Sequence, residues 1–335
     1  MKPKFRKALA ALLAVICALC LGRTALQLVQ YRQGDETYAQ AEELAGLPDL
    51  SDLPVVDFTG GSGSVSSSAS TDGAGEAPEE VPVWQDPYAQ ALKDMDFSAL
   101  RQQNPDVLGW ILIPGTRVSY PVVQGTDNSY YLDHTWRGGK NSVGAIFMEC
   151  RNSSDLSDFN TIIYGHRMNN RSMFGTLSQY KSRSYWQAHP YVYLTDDSGT
   201  HRYEIFAAGE VSVDSDVYRL GLRSDSSRQS FLDSCLSLSA LNTGVTPHVY
   251  DKVLTLSTCT GNGHATRWVV QAVCPGQAPE TPEIPQEEPT PQPDASQPEE
   301  SVQTPDVSQE SPAEPEQPQE PEPAPSQDIR PEETA

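Results

Sequence analysis

Between residues 108 and 273 the chain carries eight short runs rich in β-branched and aromatic residues: 108–113, 118–123, 143–148, 161–164, 191–195, 202–212, 253–258 and 267–273. Runs this short, punctuated by Gly, Pro, Asn and Asp, read as strands, and this many in one domain close into a barrel or a sandwich. Pro121 cannot donate to a ladder, so the second run belongs at an edge or a bulge. Two helices frame the pattern. Residues 94–103 form one ahead of the first strand, stopped by Asn104-Pro105. Residues 224–241 form the other, between the sixth and seventh strands, with Phe231, Cys235 and Leu238 at i, i+4 and i+7 beside Leu232 and Leu236. Ser224 or Asp225 can cap its start and Gly244 can close it. The expected fold is mainly β: an eight-stranded barrel or sandwich with an N-terminal helix and a helix inserted between strands 6 and 7.

The flanks differ in composition. Lys2, Lys4, Arg6 and Lys7 precede an uncharged stretch, 8–22, and no acid occurs before Asp35. This is an export or anchoring signal. Continued past Arg23 through Ala25, Leu26, Leu28 and Val29, it reaches the roughly 20 residues that a span requires. No clean A-x-A cleavage site follows, so 1–34 reads as a cytoplasmic basic end and a transmembrane signal-anchor, with a cleaved signal peptide as the alternative. The chain is then a single-pass protein of the cell membrane with the rest extracytoplasmic. Residues 35–87 read as a flexible Gly/Ser-rich stalk, in which 35–45 can form a short helix ending at Gly46. The folded domain is 88–274. Residues 275–335 hold 16 prolines and 16 acidic residues against the single Arg330, which favours extended, disordered chain. The tail thus carries −15 of the formal −22 and leaves −7 for the remainder. Neither part offers the basic footprint that nucleic acid requires.

Of the six cysteines, Cys17 and Cys20 lie in the apolar run, and Cys150, Cys235, Cys259 and Cys274 show neither a C-x-x-C pair nor zinc-ligand spacing. No metal or cofactor is expected. Cys150 and Cys274 lie near strand ends and could pair, while Cys235 on an apolar helix face reads as packing. Cys259 differs. Alternation gives it the face of Val253, Thr255 and Ser257, at a strand end followed by the Gly-rich turn 260–266. A nucleophilic thiol needs a nearby positive charge or base. Arg267 opens the next strand of what reads as a hairpin, where it can meet a thiolate or a developing oxyanion. Six histidines are available: His134, His166, His189, His201, His248 and His264. His166 ends the run 161–165 at a loop mouth, as a general acid or base requires. His264, five residues from Cys259, is its rival.

Thr255-Leu256-Ser257-Thr258-Cys259 followed by Arg267, with Tyr164-Gly165-His166 upstream, resembles the signature of sortases, membrane-anchored cysteine transpeptidases of Gram-positive bacteria. Further matches are similar to class B: Asn104-Pro105-Asp106-Val107-Leu108-Gly109-Trp110-Ile111, then Tyr120-Pro121-Val122-Val123-Gln124-Gly125, Asp127-Asn128-Ser129-Tyr130-Tyr131-Leu132 and Ser172-Met173-Phe174-Gly175. The resemblance spans about 100–273 and implies an eight-stranded sortase β-barrel. It implies Cys259 as nucleophile, His166 rather than His264 as general acid or base, and Arg267 as the positioning and oxyanion residue. Two features depart from it. The turn between Cys259 and Arg267 is short, at seven residues, and the acidic tail has no counterpart in the catalytic domain.

The resemblance also implies partners: exported proteins bearing a sorting motif of N-P-x-T or L-P-x-T type, and an amine acceptor from a peptidoglycan precursor or a pilin lysine. The helix over 224–241 and the loop after His166 are the expected substrate walls. A secreted cysteine hydrolase without an amine acceptor and a non-catalytic surface binding protein are the competing readings.

Overall fold

The computed structural model describes residues 3–50, 53, 86–261 and 265–276; most of the expected stalk, His264 and the acidic tail lie outside the described residues. Its first element, α1 (Pro3–Leu44), is one unbroken helix. The large apolar side chains from Leu12 to Val29 stand exposed. Among the described residues this is the one helix long and apolar enough to cross a membrane.

The expected stalk departs from this picture at its start, because α1 continues through residue 35 and its last turns are packed. Gly34, Tyr38, Ala41 and Ala45 recur at helical spacing and are buried. Small residues at three of these positions let the helix approach the barrel closely while Tyr38 fills the gap. The helix closes where the sequence indicates. Gly46 takes a φ of 63°, and the amides of Gly46 and Leu47 reach back to the carbonyls of Glu43 and Glu42.

Two short helices lead into the barrel. In α2 (Pro87–Leu92), Asp86 caps the amides of Tyr88 and Ala89, and Pro87 occupies the first turn. The next, α3 (Ser98–Gln103), is shorter than the expected 94–103. Asp96 takes both the amide and the hydroxyl of Ser98, at 2.8 and 2.9 Å, and this turn fixes the start at Ser98.

All eight expected runs contain a strand: β1 (Val107–Leu112), β2 (Ser119–Val123), β3 (Ile146–Met148), β4 (Asn160–Tyr164), β5 (Tyr191–Asp196), β6 (Gly199–Ser212), β7 (Lys252–Cys259) and β8 (Thr266–Cys274). They close into a barrel in the order β1-β2-β3-β4-β7-β8-β6-β5. The β2–β3 and β4–β7 pairs are parallel and the others antiparallel. Pro121 is tolerated because it lies opposite Trp110 of β1, while the β3 ladder begins only at Val122. A Cβ at Gly109 would strike the Thr195 carbonyl of β5, so glycine allows β1 and β5 to close the barrel. One further helix, α4 (Arg183–Ala188), precedes β5.

Alternation along β7 and β8 separates two cores. Leu254, Leu256, Val270 and Ala272 face the barrel interior. Val253, Val269 and Val273 face outward, beneath α5 (Asp225–Leu238), where Phe231, Leu232 and Cys235 cover them. Ser224 caps α5 in a reciprocal pair with Ser227. The end of α5 differs from expectation. Gly244 does not close it, and Leu238 is exposed. The Ala240 amide bonds to the Ala208 carbonyl at 2.8 Å and the Ser239 hydroxyl accepts from the Ala208 amide at 3.0 Å, which draws the chain out of the helix and onto β6.

Candidate active site

The outward face of β7 changes character along its length. Val253 lies in the apolar core under α5, and the Thr255 hydroxyl donates to Asn160 at 2.8 Å. Ser257 and the Tyr218 hydroxyl then share a hydrogen bond of 2.9 Å. Cys259, next on this face, is half-buried at the open end of the strand. Arg267 is its direct partner across the antiparallel β7–β8 ladder, so both side chains project to one side. On the other flank, β4 runs parallel to β7 with Tyr164 opposite Ser257, and the Gly165 amide bonds to the Ser257 carbonyl at 3.2 Å. Two residues further along each chain, on the same face, stand His166 and Cys259.

A cavity of about 200 Å³ opens at this point, lined in part by Asn128, Leu132, Tyr164, His166, Cys259 and Arg267. His166 Nε2 donates to the Leu132 carbonyl at 2.6 Å, and the ring hydrogen-bonds with the Cys259 thiol. That thiol interaction raises the His166 pKa against the opposing effect of burial, and the Leu132 carbonyl adds to the rise. The same hydrogen bond lowers the Cys259 pKa, again against burial, with help from the charges of Arg267 and Arg167. Both shifts favour a thiolate–imidazolium pair, which titrates as a unit. Such a pair holds a nucleophile and a proton donor side by side, next to a guanidinium that can receive negative charge from an attacked carbonyl.

The structure therefore brings together the three residues singled out in the sequence. The rival His264 lies outside the described residues. Elsewhere, His134 bonds to the Tyr130 carbonyl, His189 to the Pro114 carbonyl and His201 to Ser198. All six cysteines are free, so Cys150 and Cys274 do not pair. Cys235 is a packing residue, accepting a hydrogen bond from Gln271 at 2.8 Å, and burial pushes its thiol up to about 12. No residue of α5 lines this cavity; the helix covers the apolar stretch of the same sheet face. Of the loop after His166, Arg167 approaches the turn, and its guanidinium donates to the Thr260 carbonyl at 2.6 Å.

Arg167, the Leu132 carbonyl and Glu149 escaped the sequence reading. Glu149 is buried beneath the cavity, where its carboxylate accepts from Asn128 at 2.8 Å, Tyr164 at 2.9 Å and Arg151 at 2.6 Å. Burial alone would raise its pKa; these partners bring it down to about 2. The local signal for Arg167 was its place directly after His166. Main-chain carbonyls leave no trace in residue type.

A sortase-domain family model matches residues 111–274. Sortase B of Staphylococcus aureus is 33% identical over 163 residues, covering 49% of this chain and 67% of that protein. Sortase B of Listeria monocytogenes is 34% identical over 160 residues, covering 48% and 65%. Among solved structures, the S. aureus sortase B-substrate complex aligns with a TM-score of 0.51 at 32% identity, covering 54% of this chain and 85% of that one. Sortase B from B. anthracis in complex with AAEK1 aligns at 0.56 and 26% identity, covering 75% and 100%. Barrel, motifs and relatives agree: the chain belongs to the sortase family of cysteine transpeptidases, within class B.

Proposed function

We propose that Cys259 is the nucleophile, His166 the general acid and base, and Arg267 the residue that positions the scissile carbonyl and holds its oxyanion. The observation that carries this reading is the convergence of a lowered thiol, a raised imidazole and a guanidinium at one cavity. The Cys259 thiolate attacks the Thr carbonyl of an N-P-x-T or L-P-x-T type motif on an exported protein. The tetrahedral oxyanion takes a hydrogen bond from Arg267. As the C–N bond breaks, His166 gives its proton to the leaving amine, and a thioester remains on Cys259. An incoming amine attacks the thioester, His166 takes its proton, and the thiolate departs. The acceptor is an amine of peptidoglycan or a pilin lysine; a similar structure is described as sortase B complexed with triglycine. The exposed apolar length of α1 supports anchoring of the chain in the cell membrane, with the barrel outside the cytoplasm.

The test is intact-mass analysis of the full chain with a panel of sorting peptides, with and without an amine. A mass addition on Cys259 and an amine-dependent ligated product are expected, and Arg267→Ala lowers turnover by about 10²-fold or more. Cleavage that ignores the amine at every concentration would instead identify a hydrolase. Wild-type turnover in His166→Gln would remove the assigned acid and base.

A further inference from the structure

The helix that carries the candidate membrane span also grips both sides of His166. Its Tyr38 is buried, and the Tyr38 hydroxyl donates to the Gly144 carbonyl at 2.6 Å. Gly144 lies against the His166 ring: with a φ of 66°, it has no room for a Cβ between the imidazole and the Tyr131 and Leu132 carbonyls. One of those carbonyls, Leu132, holds His166 Nε2. The segment bearing Leu132 and Gly144 is fastened to α1 at three further points. Trp136 Nε1 donates to the Thr37 carbonyl at 3.1 Å, Asn141 to the Gln30 carbonyl at 3.1 Å, and Ser142 to the Gln30 side chain at 2.6 Å.

The second grip runs through Tyr120. Its ring packs edge-on against Tyr38, with centroids 5.1 Å apart. Its hydroxyl accepts from the Met173 amide at 2.9 Å. Met173 has a left-handed φ of 54°, an unfavourable conformation for a residue with a side chain. Next to it, the Phe174 amide bonds to the His166 carbonyl at 3.0 Å. The loop that leaves His166 and the loop that receives its Nε2 are thus both braced on Tyr38.

We infer that Tyr38 is a positioning residue for His166, acting through the Gly144 carbonyl on one side and Tyr120 on the other, so that the membrane-proximal end of α1 is part of the apparatus that orients the imidazole. The inference rests on His166 being the acid and base. Tyr38 touches no reacting atom. Its effect falls on the acyl-transfer steps in which His166 moves a proton, and the cavity that binds the peptide is left intact.

The test uses the full chain in detergent micelles and compares wild type, Tyr38→Phe, Tyr120→Phe and His166→Gln. Each receives thermal unfolding, kcat and KM with a sorting peptide, and the pH dependence of Cys259 alkylation by iodoacetamide, which needs no substrate. Tyr38→Phe keeps the ring and loses the hydroxyl bond. It is expected to lower kcat by about 5- to 10-fold with KM within about twofold, and to move the alkylation midpoint to higher pH, as a less well-held imidazole stabilises the thiolate less. Tyr120→Phe is expected to act in the same direction. An unchanged kcat and alkylation profile in Tyr38→Phe, with His166→Gln inactive, overturns the positioning role and leaves the catalytic assignment standing. Full activity in His166→Gln overturns the assignment itself. A fall in thermal stability with an unmoved alkylation midpoint would reduce Tyr38 to a packing residue.

Discussion

Two cysteines share one face of the same sheet and have opposite chemistry. Cys235 meets that face from α5 and accepts from Gln271, which lies opposite Thr255 in the β7–β8 ladder; Cys259 stands further along β7 at the open end. The first thiol lies in an apolar cluster with Phe231, Leu232 and Val269, and burial pushes it up to about 12. The second meets an imidazole and the charges of two guanidinium groups and is lowered. Residue type is the same, and so is the sheet face. What changes along β7 is the supply of positive charge and water, and this gradient makes one thiol structural and the other a nucleophile.

The strongest attempt to break the contrast is to delete each thiol. Cys259→Ala is expected to lower turnover by at least about 10⁴-fold with the fold retained. Cys235→Ala leaves turnover within about twofold and lowers stability by roughly 1–2 kcal/mol. Peptide turnover and chemical denaturation of both variants decide it, and comparable activity loss in the two would erase the distinction. Next in size is selective alkylation. In native protein at pH 7, iodoacetamide is expected to modify Cys259 at least about 100-fold faster than Cys235, with the two rates converging in denaturant. Peptide mapping by mass spectrometry reads the ratio.

A smaller effect tests the charged floor beneath the open end. The Glu149 carboxyl is held below its ordinary value, so its stabilisation is present above about pH 4.5 and fades as pH falls toward about 2. Glu149→Gln is expected to cost roughly 2 kcal/mol at pH 7, allowing for the exposure of Arg151, and nothing near pH 2. Denaturation curves at several pH values check both the size and the sign. The smallest effect belongs to Arg167, which is exposed to solvent. Arg167→Gln should slow Cys259 alkylation at pH 7 by about two- to threefold at low salt, and the difference should shrink in 1 M salt.

The legible parts of this molecule are those encoded over short stretches. Strand alternation puts Cys259 on the face of Ser257, and a seven-residue turn indicates that Arg267 returns opposite it. His166 at the end of an apolar run was a candidate on position, and the resemblance to sortases separated it from His264. What stayed hidden depends on chain segments that are distant in sequence. The Leu132 carbonyl and the Tyr38–Gly144 bond join parts 34 and 106 residues apart. The helical spacing of Gly34, Tyr38, Ala41 and Ala45 was present in the sequence, but three of the four are small, and a polar surrounding made the segment read as stalk. The end of α5 is equally hidden, because it is set by hydrogen bonds to Ala208 of β6, which no local pattern announces.

The parallel pairing of β4 with β7 has a further consequence, for how such a chain can vary. His166 and Cys259 meet because each lies two residues beyond an aligned pair, Tyr164 and Ser257. A single residue inserted into either strand would move one side chain by about 3.3 Å and turn it to the opposite side of the wall. The connections that end at these strands face no such restriction on length. Mutational tolerance should therefore be divided by element: insertions accepted in the connections that lead into β4 and β7, and refused within the five-pair ladder that joins them.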